Sequence, residues 1–353
     1  MKRLRKITRY IRRSALFKAL ILIMILVFAI ITQTGCSNKE VSKTDFALNT
    51  SCTITVGGMS EKEANDILTE AFDVMRQYED MLSRTVEGSD IYRINNAGGE
   101  AVEVSDETIE VLRQGIAMGE LSGGRFDITV GRLTDMWNFT GEDPSVPPQE
   151  EIDAALPAVD YRNIHIDGNR VTLADPGAAI DLGGIAKGYI ADKLAEFLMD
   201  KGVESAVINL GGNVETVGAK ADGSSWTVGI ERPYSDRTEL MGKVSLDDGT
   251  LVTSGIYERN FEEDGVLYHH VLDPDTGYPA ESDLEAVTIM AVRGNSAFCD
   301  GLSTVCLMLG KDEAMQLVEQ LQEEYPDMGL EAAFIDKEDE MVQTEGMDIQ
   351  AAD

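Results

Sequence analysis

The chain has 353 residues, with 63 acidic against 30 basic side chains and a net charge of −33. A body this acidic repels a phosphate backbone, which argues against nucleic acid as a partner. Hydrophobic content of 43 % and charged content of 26 % are those of an ordinary globular chain, and four cysteines are too few for a disulfide scaffold.

The charge is unevenly placed. Residues 1–35 hold eight Lys/Arg and no Asp or Glu, so removing them leaves −41 on the rest. The basic stretch runs into "ALILIMILVFAII" (19–31), thirteen unbroken apolar residues, and then "TQTGCSN". That order is the n-region, h-region and small-residue cleavage zone of a secretory leader. The apolar run falls short of the ~20 residues of a membrane span. Counting on to Gly35 gives seventeen, which leaves an uncleaved anchor open. Thr34-Gly35-Cys36 resembles a bacterial lipobox, with Gln33 departing from the usual leucine-like residue. The expectation is a lipoprotein-type signal peptide over 1–35 and a lipidated Cys36. The body is then anchored by lipid at the extracytoplasmic face of a bacterial cell membrane, in line with positive-inside logic.

Residues 36–45 read as a polar tether, 46–337 as one domain, and 338–353 as a frayed acidic tail. "FALNTSCTITVGG" (46–58) predicts a first strand. Ser60 and Glu63 form a capping-box pattern, and Ile67, Leu68, Ala71, Phe72, Met75, Tyr78 and Leu82 recur at helical spacing. A loop is expected from 83 to 105, then a second helix from Ser105. "SGGRFDITVGRLTDMWNFTG" (122–141) reads as turn, strand-like run and aromatic segment. "NIHID" and "RVTLAD" flank Gly168-Asn169 as a hairpin, with His165 on its surface. Strand–glycine turn–helix follows at 178–203 and strand–glycine turn–strand at 205–218. Further strands lie in "WTVGIERP", "MGKVSLDDGTLVTSG", "LYHHVLDPDTGYPA" and "EAVTIMAV", then two helices, with "AAFID" closing the sheet. This mixture without strict βαβ alternation predicts an α+β (mixed α/β) fold. Cys299 and Cys306 are two turns apart on one expected helix, ~10 Å between Cα atoms. That is too far for a disulfide, so they read as small buried hydrophobes.

Four glycine corners carry polar residues: "GGRFDITVG", "IDLGGIAKGY", "INLGGN" and "HHVLDPDTGYP". Glycine at strand ends lets a ligand approach the backbone. "DLGGIAKG" opens a helix whose free N–H groups suit phosphate, and Lys187 adds a point charge. Neither GxxxxGK[ST] nor GxGxxG occurs. Asp300 and Thr304 stand at i and i+4 on an otherwise apolar helix, a pair of hard oxygens suited to Mg²⁺. Such a pair also arises as an N-cap aspartate and a packed threonine. The chain has three histidines, and His269 and His270 are adjacent. In a strand they face opposite sides, so one is expected at a site and the other at the surface.

Taken together, "FDITVG", "IDLGGIAKGYIADKL", "INLGGN", "TSGIYERNF", "HHVLDPDTGYP" and "CDGLSTVCLMLG" resemble, in order and spacing, the ApbE family of FAD:protein FMN transferases. The resemblance runs from about Phe46 to about Ile335. It implies one ApbE-like flavin transferase domain that takes FAD as substrate with Mg²⁺ and cleaves the pyrophosphate. It implies transfer of FMN to a Thr/Ser hydroxyl of an acceptor protein with an S/T-G-A-T-like motif, such as a membrane redox-pump subunit, with release of AMP. By the same match, Arg125, Phe126, Asp127, Asp181, Lys187 and Leu272 fall at FAD-binding positions. Asp300, Thr304 and the Gly184 carbonyl fall at metal-ligand positions. His270 falls at the motif's histidine, which makes it the candidate general base. "ALNT" (47–50) departs from the family's A-M-G-T at Leu48 and Asn49, and Arg84 lies near a position often aromatic, so both bear on how the flavin ring stacks. Two rival readings are a FAD pyrophosphatase giving FMN and AMP, and a flavin-binding lipoprotein without catalysis.

Overall fold

The computed structural model describes residues 39–235 and 239–352. The leader and Cys36 lie outside the described residues.

The strands are β1 (Val41–Ala47), β2 (Thr50–Val56), β3 (Val102–Glu103), β4 (Ile164–Asp167), β5 (Arg170–Leu173), β6 (Ala206–Leu210), β7 (Asn213–Val217) and β8 (Trp226–Glu231). They continue as β9 (Leu240–Leu246), β10 (Gly249–Gly255), β11 (Asn260–Glu263), β12 (Val266–His269), β13 (Leu284–Val292), β14 (Glu331–Asp336), β15 (Met341–Gln343) and β16 (Ile349–Ala351). The helices are α1 (Glu61–Leu82), α2 (Asp90–Asn95), α3 (Asp106–Leu121), α4 (Gly131–Trp137), α5 (Gln149–Ala155), α6 (Ala186–Asp200), α7 (Ser296–Leu309) and α8 (Lys311–Glu324).

An eight-stranded sheet in the order β1-β2-β6-β7-β10-β13-β14-β15 is the frame, antiparallel at every pair. Helices α1, α6, α7 and α8 cover one face. A small sheet, β16-β9-β8, covers the other around Ile230, Val244, Leu246, Ala286 and Met347. Central strand β7 is buried along its whole length, as a strand covered on both faces must be. Among the described residues no helix is long and apolar enough to cross a membrane.

Several expectations change. The tether ends early: Val41–Ala47 is the sheet's edge strand, joined to β2 through Ser42–Thr55 and Thr44–Thr53 hydroxyl pairs at 2.8 Å. Its outward polar residues hid it, because an edge strand needs little apolar patterning. The expected first strand is a hairpin broken at Leu48 and Asn49, both at positive φ (52° and 57°) as a two-residue turn requires. The loop at 83–105 contains α2 and β3. "FDITV" forms no strand beyond a bridge from Val130 to Ala179. Asp127 bends it, accepting from Thr129 N–H (2.7 Å), Thr129 Oγ1 (2.6 Å) and Tyr161 N–H (2.8 Å). The domain does not stop at 337. Met341–Gln343 extends the large sheet, Ile349–Ala351 joins β9, and Met347 is buried between them. The hairpin at Gly168-Asn169, exposed His165 and free, buried Cys299 and Cys306 match expectation, and Cys52 is free and buried as well.

Candidate active site

A cavity of about 320 Å³ opens where the β1–β2 turn, the end of α1, the 125–127 corner, the start of α6, the end of β10, the segment after β12 and helix α7 converge. Its size suits a small-molecule ligand. Leu48, Arg84, Arg125, Phe126, Asp127, Asp181, Gly184, Lys187, His270, Leu272, Asp300 and Thr304 all line it. Residues spread over more than 250 positions thus meet in one place.

The cations come first. Arg84 bridges Asp135 and Asp181, the latter at 3.1 Å, so it holds the glycine corner rather than standing free. Arg125, Lys187 and Arg259 make none of the ion pairs found among the described residues. Three unpaired cations around one cavity, in a chain of net charge −33, mark a place for an anionic ligand. Leu182, Val271, Leu272, Met308, Phe126 and Phe139 supply apolar walls beside them.

Asp300 is 2 % exposed. Burial raises its pKa, opposed by Lys187, the Gly188 N–H and Asn213. Gly188 N–H donates to Asp300 Oδ2 at 3.0 Å. Gly188 must be glycine, since a Cβ there would run into the Ser296 carbonyl where α6 crosses α7. One turn on, Thr304 Oγ1 donates back to the Asp300 carbonyl at 3.4 Å. It also lies 3.7 Å from where a Cβ on Gly184 would be. A buried carboxylate, a hydroxyl and a nearby backbone carbonyl, facing a cavity, are the few hard oxygens Mg²⁺ takes while keeping water or phosphate in its other positions. The residues fit that ion. Among the described residues no group of three or more His, Cys, Asp or Glu is placed to hold a metal ion.

The histidines are unequal, though not as expected. His270 lines the cavity and is half-buried. Its Nδ1 faces the Arg259 carbonyl at 3.2 Å, which fixes the proton there and leaves Nε2 as the basic nitrogen. Burial, then Arg259, His269 and Lys187, push its pKa down to about 3, well below the usual 6.5. His269 is not at the surface: it is 8 % exposed, its Nδ1 has no partner, and burial lowers its pKa to about 4. The chain after β12 turns back and covers it, with Ala280 N–H bonded to the Val271 carbonyl at 2.9 Å. Asp273, Asp275 and Thr276 close their own turn and do not line the cavity; Asp275 N–H bonds Asp273 Oδ1 at 2.8 Å. Trp137 Nε1 donates to the Gly277 carbonyl at 2.8 Å and pins that turn from α4. The Asp127 oxygens are taken up by the bonds that bend its loop, so it shapes the wall rather than presenting a free carboxylate.

Among the cavity residues not singled out from sequence, two shape the site most clearly. Arg259 stands in "TSGIYERNF", where a basic residue in an acidic chain was the available signal. Glu79 accepts the Leu48 N–H at 2.8 Å and fixes the β1–β2 turn at the cavity mouth; nothing local marks it.

The ApbE family model matches residues 48–328. The chain belongs to the ApbE family. A FAD:protein FMN transferase of Treponema pallidum is 34 % identical over 316 residues, covering 84 % of this chain and 84 % of that protein. Another of that name, from Klebsiella pneumoniae, is 33 % identical over 279 residues, covering 78 % and 84 %. Among solved structures, an ApbE protein from Thermotoga maritima superposes with a TM-score of 0.78 at 36 % identity, covering 87 % of this chain and 97 % of the other. The flavin transferase ApbE from Vibrio cholerae gives 0.75 at 27 % identity, covering 88 % and 97 %. The α+β fold of this chain is therefore the ApbE fold.

Proposed function

We propose that this protein is a Mg²⁺-dependent FAD:protein FMN transferase that moves FMN from FAD to a Thr or Ser hydroxyl of an acceptor protein, releasing AMP. The observation that carries the reading is one cavity joining three unpaired cations to a buried carboxylate–hydroxyl pair. Membership of a family whose relatives bear that name supports it.

Pyrophosphate cleavage by a hydroxyl needs positioning and neutralisation of charge more than covalent help. Lys187, Arg125 and Arg259 bind the phosphates, and the apolar walls with Phe126 and Leu272 take the ring systems. Asp300, Thr304 and the Gly184 carbonyl would hold Mg²⁺, which would supply positive charge to the phosphate oxygens. His270 Nε2 accepts the acceptor's hydroxyl proton as that oxygen bonds to the FMN phosphorus. The phosphorus–oxygen bond to the AMP phosphate breaks, and AMP leaves with the bridging oxygen and its electron pair. Arg84, tied to Asp181 and Asp135, keeps the glycine corner in place beneath the ligand.

The acceptor carries an S/T-G-A-T-like segment and belongs to a membrane redox complex. The enzyme meets it at the extracytoplasmic face, tethered through lipid on Cys36; the lipobox-like Thr34-Gly35-Cys36 supports this. Incubating a candidate acceptor with enzyme, FAD and Mg²⁺ and weighing it by mass spectrometry tests the function. An FMN-sized gain on a Thr or Ser is expected. Free FMN and AMP with an unmodified acceptor would make the enzyme a pyrophosphatase, and uncleaved FAD would make it a binder.

A further inference from the structure

Helix α7 carries both proposed metal-binding side chains, yet its N-cap residue, Asn295, makes no side-chain capping bond. A helix start leaves backbone N–H groups unpaired, and burying them unpaired is costly. Here the acceptors come from other elements. Asp192 of α6 takes the Ser296 N–H on Oδ1 and the Ala297 N–H on Oδ2, both at 2.9 Å. Glu215 of β7 takes the Gly294 N–H on Oε1 at 3.0 Å. The Ser296 hydroxyl donates at 2.6 Å to Asn213 Oδ1. The Asn213 amide favours the charged form of Asp300, although its Nδ2 completes no hydrogen bond. Asp192, Glu215 and Asn213 therefore gather the start of α7, and Asn213 acts on its metal carboxylate.

The proton balance of the cluster follows from its partners. Both Asp192 oxygens accept from backbone N–H groups, so Asp192 is the carboxylate. Glu215 is fully buried, its Oε2 has no donor, and Asp192 is its neighbour. Two adjacent carboxylates, Glu215 buried and Asp192 half-buried, resist ionising together. One proton on Glu215 resolves this, its carboxyl donating to the Asp192 carboxylate. The cation that acts on Glu215, Arg293, is committed to Asp248 at 2.7 Å. Glu196 of α6 and the Cys299 thiol of α7 also face the pair, and neither supplies positive charge.

We propose that Asp192 is a positioning residue for the metal site: its carboxylate, held by neutral Glu215, caps α7 from outside and so sets Asp300 and Thr304 against the cavity. The inference rests on the metal reading above. Gly188, one turn earlier on α6, bonds Asp300 itself, so a single helix grips α7 both at its start and at the proposed ligand.

Mn²⁺ titrated into the full-length protein and followed by electron paramagnetic resonance tests this, with amide hydrogen exchange at 294–297 as a second readout. Asp192→Asn keeps one acceptor and turns an NH₂ toward a backbone N–H. It should weaken Mn²⁺ binding ~10–100-fold, as loss of a supporting partner does, and speed exchange at Ser296 and Ala297. Glu215→Gln copies the neutral acid and should leave both readouts unchanged. In turnover, Asp192→Asn should raise the Mg²⁺ needed for half-maximal rate more than it lowers the rate at saturating Mg²⁺. Parent-like Mn²⁺ affinity and exchange in Asp192→Asn would overturn the proposal. So would damage from Glu215→Gln equal to that from Asp192→Asn; if Asp192→Asn does not fold, loss of Mn²⁺ affinity in Glu215→Gln alone overturns it. Asp300→Ala is the separate control: if it binds Mn²⁺ like the parent, the metal reading fails, while the exchange readout still reports on the cap.

Discussion

Replacing His269 and His270 one at a time separates catalysis from packing. His270→Ala removes the candidate base, a loss of ~10²–10⁴ in transfer rate, or ~3–5 kcal/mol of barrier at ~1.4 kcal/mol per decade. The structure adds a condition. In the free cavity burial, Arg259, His269 and Lys187 hold its pKa near 3, so the imidazole is neutral but a poor proton acceptor. A bound pyrophosphate offsets the fields of Arg259 and Lys187, and the pKa should climb toward the ordinary value of about 6.5. Stopped-time assays of acceptor labelling across pH then have a definite expected shape. The acid limb of kcat, which reports the substrate complex, should lie at higher pH than the acid limb of kcat/KM, which reports the free enzyme. His270→Ala should abolish the kcat limb. His269→Ala leaves the cavity intact, so its rate should stay within a few-fold while its melting temperature falls, because the ring is buried. A full transfer rate in His270→Ala, or coincident limbs that persist in it, would refute the reasoning.

Asp300→Ala should abolish transfer while FAD binding falls modestly; normal turnover at low Mg²⁺ would contradict the metal assignment. Gly188→Ala forces a methyl against the Ser296 carbonyl, and overpacking of that kind costs ~1–3 kcal/mol, to be read in a denaturant titration together with a raised Mg²⁺ requirement. Asn49 holds a left-handed turn position, where glycine carries no side-chain strain, so Asn49→Gly should stabilise by up to ~1 kcal/mol, visible as a small rise in melting temperature. Both histidines of the pair have pKa values below the unfolded 6.5, so the unfolded chain binds more protons below that pH. Stability should be intact above about 6.5 and drain as pH falls toward 4; His269→Gln should flatten that slope in thermal melts, and an unchanged slope would refute it.

What the sequence revealed and what it hid divide along a physical line. The glycine corner at Gly183 and Gly184 was legible because its features are local. Gly183 and Gly184 precede a helix, Lys187 sits in that helix's first turn, and Asp300 and Thr304 share a face by spacing alone. The edge strand Val41–Ala47 was hidden because half its surface meets water, and the strands after 337 because acidic residues dominate a segment anchored by buried Thr344 and Met347. The histidine pair shows the limit most clearly. Alternation placed the two rings on opposite faces, but which face meets solvent depends on the chain returning through Leu272 and Pro279, a tertiary event. The same holds for Asp192 and Glu215. Neither stands out in its own segment, and only the crossing of α6 over α7 beside β7 brings them together. A carboxyl pair that costs burial energy and spans three elements has no local reason to exist. Its reason is at the far end of the contacts it makes, where α7 holds Asp300 to the cavity.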